Sequence, residues 1–195
     1  MRASNIVLKA LKEAIKVIKE LKVDYCLFGG LAIAAYKRIR ATMDVDLMVD
    51  ISEKQFADFI SGLEKRGFKF DHKKGIIKIG NFEILRFIYT DKESQIDVFV
   101  DCVNIKTEFQ KEVLSRKQNL DILGTRVNIA SCEDLILLKI LAARPLDKVD
   151  AQVLIAENVK DIDRNYLKKW ARELGVERRL QHMLPDRVRM DRKSS

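Results

Sequence analysis

The chain has 195 residues, of which 47% are hydrophobic and 34% are charged. This composition is typical of a globular protein, and the length suits one compact domain with a small appendage but not two full-size domains. Apolar stretches long enough to span a membrane, about 18 residues, do not occur, and the lysine-rich N-terminal segment does not have the pattern of a signal peptide. We therefore expect no membrane association.

Cysteines and charge indicate the compartment and the class of partner. Cys26, Cys102 and Cys132 lie far apart in apolar surroundings, which predicts buried thiols in a reducing, cytoplasmic compartment rather than a zinc site. The formal net charge is +8, and residues 160–195 hold 11 Lys and Arg against 6 Asp and Glu. A basic end favours polyanions such as RNA, although a solvated lysine-rich surface gives the same count.

Hydrophobic periodicity predicts alternating helices and strands in the first part of the chain. The predicted elements are a helix from about Ser4, a strand at 24–28, a helix at 31–38, a strand at 43–51 and a helix at 52–66. The following part contains short strands, which are predicted at 68–71, 76–79, 82–89 and 95–100. A helix at 106–117 and a hairpin at 120–129 come next.

The C-terminal part is predicted to be helical. Ser131, with Asp134 three residues later, is expected to cap a helix. The predicted helices cover 135–143, 146–158, 164–174 and 177–184. We expect an α/β (α+β) fold in which helices flank a small mixed sheet. Its predicted parts are a core over 1–130, a helical region over 131–185 that packs on the core, and a disordered tail over 186–195.

Two carboxylates share one face of the strand at 43–51. Asp44 and Asp46 are two residues apart, so their side chains point the same way, about 6.6 Å apart along the strand. Asp97 lies on a later acidic strand, and neighbouring strands of one sheet would bring it beside this pair. Three converging carboxylates suit Mg²⁺ or Mn²⁺ and phosphoryl or nucleotidyl transfer, with Asp97 also able to act as a base. The alternative is a solvent-facing strand with scattered acids.

Gly29 and Gly30 lie between the first predicted strand and the helix after it. Glycines at such a turn let the backbone approach a phosphate closely, and the free N–H groups at a helix start attract an anion. A Gly-Gly pair alone is more often an ordinary turn. The order of turn, helix and acidic strand favours a phosphate-binding role here.

Taken together, these motifs resemble the signature of the minimal nucleotidyltransferases, in particular the AbiEii-like proteins. The residues that carry the resemblance are Gly29-Gly30-Leu31-Ala32, Arg40, Thr42, Asp44, Asp46 and Ile96-Asp97-Val98. It covers about residues 3–158, and it departs from the family at Tyr36-Lys37, where many relatives have His-Gly. The resemblance implies that Asp44, Asp46 and Asp97 are metal-binding catalytic residues. It also implies a nucleotide-binding set, namely Gly29, Gly30, Arg40, Thr42, Lys139 and Lys148.

The implied reaction moves a nucleoside monophosphate from an NTP to a hydroxyl acceptor, with Mg²⁺ or Mn²⁺ as cofactor. The acceptor classes are an RNA end such as that of a tRNA, a protein or a small molecule, and the basic C-terminal end favours RNA. The resemblance further implies a toxin with a cognate antitoxin. Two alternatives stay open, a small-molecule-modifying resistance enzyme and a non-catalytic nucleotide- or RNA-binding module of a regulatory complex. The binding module predicts metal-independent binding that survives Asp44→Ala.

Overall fold

The structure is a computed structural model that describes residues 2–36, 42–80 and 82–184, with side chains from Asn5 onward. The chain divides into two compact units. The first combines Met1–Ala32 with Arg40–Ala130, and the second combines Ile33–Ile39 with Ser131–Ser195. The predicted tail at 186–195 lies outside the described residues, and the packing of the C-terminal region on the core stays a prediction.

The strands of the described residues form one mixed eight-stranded sheet, which lies in the first unit. They are β1 (Asp24–Phe28), β2 (Asp44–Asp50), β3 (Phe68–Phe70), β4 (Ile76–Ile79), β5 (Phe82–Thr90), β6 (Asp97–Asn104), β7 (Gln118–Ile122) and β8 (Thr125–Ile129). Their order is β3-β5-β6-β2-β1-β8-β7, with β4 paired to β5. β2 is parallel to β6 and β1 is parallel to β8, while the other pairs are antiparallel.

Helices occur in both units. Those of the first unit are α1 (Arg2–Glu20), α2 (Gly29–Ala32), α3 (Glu53–Lys65) and α4 (Glu108–Ser115). The second unit contains a 3₁₀ turn (Ile33–Tyr36), α5 (Cys132–Ala142), α6 (Pro145–Glu157), α7 (Arg164–Glu173) and α8 (Glu177–Met183). Within the described ranges, no helix combines the length and the apolar character that crossing a membrane requires.

The two faces of the sheet differ in burial where β2 and β6 begin, although Met48 and Val103, further along the same face as the acids, are buried. On β2, β6 and β5 one set of alternating side chains is buried, namely Val45, Leu47, Val49, Val98, Val100, Cys102, Leu85, Phe87 and Tyr89. Burial of each large apolar side chain of this kind contributes about 1.5–3 kcal/mol. α1 packs against β1, β2, β6 and α3. The opposite face of the same strands carries the acidic residues, and that face positions the site.

The α/β fold expected from the sequence is confirmed, and the differences are local. The helix predicted at 31–38 is instead the single turn α2 followed by the 3₁₀ turn, and residues 37 and 38 lie outside the described part. β6 runs to Asn104, beyond the predicted end at 100. The predicted cap of α5 is present, since Ser131 accepts a hydrogen bond from the backbone N–H of Asp134 at 3.2 Å. Cys26, Cys102 and Cys132 are buried thiols that form no disulfide.

Candidate active site

The site is built on β2, whose first residues carry the Asp-x-Asp pair. Asp44 is exposed and Asp46 is half-buried, on the same face of the strand, while Val45 between them is fully buried. The antiparallel register pairs Phe28, the last residue of β1, with Asp46. The turn that begins at Gly29 therefore lies directly beside the second carboxylate of the pair.

Gly29 is required at its position for two independent reasons. Its φ is +70°, a left-handed conformation that side chains with a Cβ rarely adopt. A Cβ built on Gly29 would also lie 1.8 Å from Oδ2, 2.5 Å from Cγ and 2.8 Å from Cβ of Asp46. Because the Asp46 Cβ is fixed to the backbone, rotation of the carboxylate cannot remove this clash. The glycine turn and the acidic strand are therefore fitted to each other, and the buried Gly30 follows in the first turn of α2.

β6 brings further carboxylates to the same face. In the parallel register Asp44 is opposite Phe99, and Asp46 is opposite Asp101. Asp97 is the first residue of β6, two positions before Phe99, and its Oδ1 accepts a hydrogen bond from Thr90 Oγ1 at 2.7 Å. The acid predicted as the third ligand therefore lies at the end of this face, and Asp101 is the acid directly across from Asp46.

Arg86 on β5 completes the row that contains Asp46 and Asp101. It is paired across the strands with Asp101, and its Nε and Nη2 donate to the two carboxylate oxygens at 2.8 and 2.6 Å. Its guanidinium carbon lies 5.3 Å from the centroid of the Phe99 ring. We call Asp44, Asp46, Asp97, Phe99, Asp101 and Arg86 together the acidic face.

The charges of the acidic face act on the Arg86 guanidinium. Its pKa lies above the usual value, chiefly because of the hydrogen bonds to Asp101, and the negative charges of Asp101, Asp44 and Asp46 raise it further against the effect of burial. The two residues of the Asp-x-Asp pair are thus close enough for their field to reach Arg86. The described residues of this face carry four carboxylates and one cation, so the face attracts positive charge.

The donor atoms of this face suit a hard divalent cation. Mg²⁺ prefers oxygen ligands, commonly takes one or two carboxylates from the protein, and fills its remaining positions with water and substrate phosphates. Asp44 and Asp46 can supply such a pair. No group of three His, Cys, Asp or Glu side chains within the described ranges is arranged to hold a metal by itself. The carboxylate oxygens of Asp44 and Asp46 could thus be two of the ligands of such a cation.

The predicted nucleotide-binding residues other than the glycines are distributed over both units. Thr42 is half-buried, and its Oγ1 accepts a hydrogen bond from the backbone N–H of Asp44. At 3.5 Å this is a long hydrogen bond at the start of β2. Arg40 lies outside the described residues. Lys148 is exposed on α6. For these three residues a role toward the nucleotide stays a prediction.

Lys139 has protein partners that account for its position. It is 4% exposed, and its Nζ lies 2.8 Å from Oδ1 of Asp147 and 3.3 Å from Oδ2 of Asp150, two buried carboxylates on α6. Arg144 also contacts Asp147 through Nε at 2.6 Å. We call Lys139, Arg144, Asp147 and Asp150 the Lys139 cluster. This cluster ties α5 to α6, and nucleotide binding by Lys139 stays a prediction.

Sequence reasoning did not single out Arg86 or the pairing of Asp101 with Asp46. Asp101 is four residues after Asp97 and shares its face of β6, but the register between β2 and β6 decides which of the two acids is opposite Asp46. Arg86 gave one signal, a charged residue in the apolar run of β5. Its partner could not be read from the sequence because the β5–β6 register is a property of the folded sheet.

Solved structures with a similar fold are known. The solution structure of the antibiotic-resistance factor ANT(2'')-Ia is 14% identical, with a TM-score of 0.56, and the match covers 92% of this chain and 99% of that one. The lincomycin-bound lincosamide antibiotic adenylyltransferase LnuA is 18% identical, with a TM-score of 0.52 and coverages of 75% and 94%. An antigenic nucleotidyltransferase-like protein from Paracoccidioides brasiliensis is 17% identical, with a TM-score of 0.53 and coverages of 95% and 94%. At these identities the similarity shows the fold.

The family assignment comes from the sequence. A search of curated proteins finds no match. Residues 7–184, nearly the whole chain, match the family described as "nucleotidyl transferase of unknown function (DUF2204)". This span includes the Gly-Gly turn, the Asp-x-Asp pair and the helical second unit. The chain therefore belongs to this family of nucleotidyl transferases.

Proposed function

We propose that the protein transfers a nucleoside monophosphate from an NTP to a hydroxyl acceptor and releases pyrophosphate, in a reaction that depends on Mg²⁺ or Mn²⁺. The observation that carries this proposal is the fit between Gly29 and Asp46, in which the Asp46 side chain fills the space of a Cβ. A turn suited to phosphate and a carboxylate suited to a cation are thereby held side by side. A metal-bound triphosphate needs both.

Each residue has a separate task in this proposal. Asp44 and Asp46 hold the metal, which when bound supplies positive charge to the reacting phosphate and the leaving pyrophosphate. Gly29 and Gly30 offer backbone N–H groups to the phosphates without a side chain between them. Asp97, exposed at the start of β6, is the candidate base for the acceptor hydroxyl, and its hydrogen bond from Thr90 orients it.

The acceptor is proposed as a hydroxyl compound of one of two classes. The net charge of +5 in residues 160–195, 11 basic against 6 acidic residues, supports an RNA end. The similar structures include a lincosamide antibiotic adenylyltransferase, which supports a small molecule. The experiment must therefore offer both. The toxin role and the cognate antitoxin stay predictions.

The test is incubation of the purified protein with each α-³²P-labelled NTP and Mg²⁺ or Mn²⁺. Separate reactions contain total RNA, a small-molecule extract, cell lysate or no acceptor. The variant Asp44→Asn/Asp46→Asn is compared with Asp50→Asn, which changes an exposed acid at the far end of the same strand. We expect label transfer by the wild type and by Asp50→Asn, and none by the double variant.

The other outcome is equally specific. Nucleotide binding that does not depend on metal and survives the double substitution, with no transfer to any acceptor, would replace the enzyme with the non-catalytic binding module. Transfer by the double variant at the rate of the wild type would show that the active site lies elsewhere.

A further inference from the structure

One row of residues crosses four strands at the level of the second catalytic carboxylate. The registers place Phe28 beside Asp46, Asp46 beside Asp101, and Asp101 beside Arg86. Gly29 and Arg86 therefore lie on opposite sides of the two acids. Adjacent strands are about 4.8 Å apart, so the backbone of Arg86 is about 10 Å from that of Asp46. A unit charge at this distance affects the binding of a divalent cation.

Arg86 is held in place more firmly than an ordinary surface arginine. Two parallel hydrogen bonds join it to Asp101, and its guanidinium also lies over the Phe99 ring. The Asp101 side chain is only 14% exposed, whereas that of Arg86 is 44% exposed. A bidentate pair of this geometry fixes orientation as well as charge. Arg86 is thus a positive charge fixed at the edge of the acidic face.

The pair has two separate effects on a cation beside Asp46. The positive charge of Arg86 repels it, and the hydrogen bonds to Asp101 occupy the carboxylate that would otherwise attract or bind it. Asp44 and Asp46 raise the pKa of Arg86, after the larger effect of Asp101, which indicates that the charges interact across the row. By Coulomb's law, the positive charge of Arg86 would in turn reduce the attraction of Asp44 and Asp46 for a divalent cation.

We propose that the Arg86–Asp101 pair is a positioning pair that sets the divalent-metal affinity of Asp44 and Asp46. Arg86 keeps Asp101 out of the metal's ligand set and lowers the negative potential before a substrate arrives. Metal binding is then weaker without the phosphates that the NTP brings, so substrate favours the loaded site. This inference rests on the proposed function, because it concerns the metal of that reaction.

The test is a titration of the full-length protein with Mn²⁺ alone, at low ionic strength, by calorimetry or by the EPR signal of free Mn²⁺. Arg86→Gln should bind Mn²⁺ about three- to tenfold more tightly than the wild type, from the Coulomb energy of a unit and a double charge at about 10 Å. Asp101→Asn should bind Mn²⁺ more weakly, because no carboxylate then neutralises the positive charge of Arg86. The variant Arg86→Gln/Asp101→Asn, which lacks both charges, should return close to the wild-type affinity.

Two controls separate charge from structure. Arg86→Lys retains the cation without the bidentate geometry, so its affinity for Mn²⁺ should lie between those of the wild type and Arg86→Gln. Lys78→Gln removes a positive charge from the same sheet, and its pairing with Glu83 places it on the opposite face, so it should leave the affinity unchanged. The differences between variants should shrink at high salt because exposed charges are screened.

Three outcomes would overturn the inference. If Asp101→Asn and Arg86→Gln/Asp101→Asn both bind Mn²⁺ weakly, Asp101 is itself a metal ligand. If all variants bind as the wild type does and only the unfolding free energy changes, the pair serves only to join β5 to β6. If the wild type does not bind Mn²⁺ with or without NTP, the proposed metal-dependent function fails, and the inference fails with it.

Discussion

The acidic face and the Lys139 cluster are both groups of carboxylates with basic neighbours, but their charges are balanced differently. In the described residues of the acidic face, one arginine accompanies four acids on an open surface. In the Lys139 cluster, Lys139 and Arg144 match Asp147 and Asp150, and both acids are almost fully buried. The cluster matches its acids and bases one to one, whereas the described residues of the acidic face carry more carboxylates than cations.

This difference shows why short acidic motifs need structural context. Asp44 and Asp46 are two residues apart on a strand, and Asp147 and Asp150 are three apart on a helix, so both spacings bring carboxylates to one face. Burial and the neighbouring cations decide what each pair does. A buried pair without its cations would be unstable. Asp44 is exposed and Asp46 is half-buried, so solvent reaches both carboxylates and the cost of their charges is smaller.

The largest expected effect is the loss of protein stability when the Lys139 cluster is broken. Lys139→Met removes the buried ammonium and leaves two buried carboxylates short of a partner, so the free energy of unfolding should fall by about 3–5 kcal/mol. Urea-induced unfolding measures this change. Lys148→Met, an exposed lysine on α6, should change stability by no more than about 0.5 kcal/mol. A small effect for Lys139→Met would mean that the cluster is not structural and would reopen the role of Lys139 at the nucleotide.

The same substitution should have opposite consequences in the two regions. Asp46→Asn should reduce nucleotidyl transfer at least about 100-fold, since even outer-shell partners of a metal contribute 10–100-fold, and should leave stability nearly unchanged. Asp147→Asn should lower the free energy of unfolding, because a neutral amide cannot compensate Lys139 and Arg144. Label transfer and urea unfolding measured on both variants check this contrast. A stability loss in Asp46→Asn as large as in Asp147→Asn would contradict it.

A smaller effect is expected at the glycine turn. Gly29→Ala should cost about 1–2 kcal/mol of stability from the positive φ and a further amount from the Cβ clash, and should reduce transfer about tenfold or more because Asp46 must move. Gly124→Ala is the matched control, since its φ is +80° and a Cβ there would meet nothing within 4 Å. The control should lose stability and keep its activity. Equal activity of the two variants would mean that the position of Asp46 does not matter.

Most of the fold could be predicted from the sequence because its signals are local. The alternation from 43 to 51 indicated β2, and Ser131 indicated the start of α5 through its capping side chain. The segment after Gly30 was less predictable. Its alanines favour a helix, but the chain forms only one α-helical turn and one 3₁₀ turn there. Tertiary context decides such short segments, and propensity does not.

The candidate site was predicted less completely than the fold. The side of β2 that carries Asp44 and Asp46 follows from alternation alone. The position of Asp97 relative to them depends on the β2–β6 register, which no local signal encodes. The same holds for Asp101 and Arg86, whose pairing requires three strands in order. Sequence therefore identified which residues share a face, and the sheet determined which of them are neighbours.

The most limited effect is the response of the Lys139 cluster to acid. Burial opposes the ionisation of Asp147, but hydrogen bonds from Arg144 and Lys139 and their charges outweigh it, so its pKa in the folded protein lies below the usual value. Its stabilisation is therefore present above the unfolded value of about 3.9 and is lost as the pH falls through the folded value. The free energy of unfolding of the wild type and of Asp147→Asn can be measured with urea between pH 7 and pH 3. The difference between the two values should decrease only below about pH 4. A constant difference in the free energy of unfolding would show that Asp147 does not titrate in this range. The ion pair would then contribute to stability independently of pH.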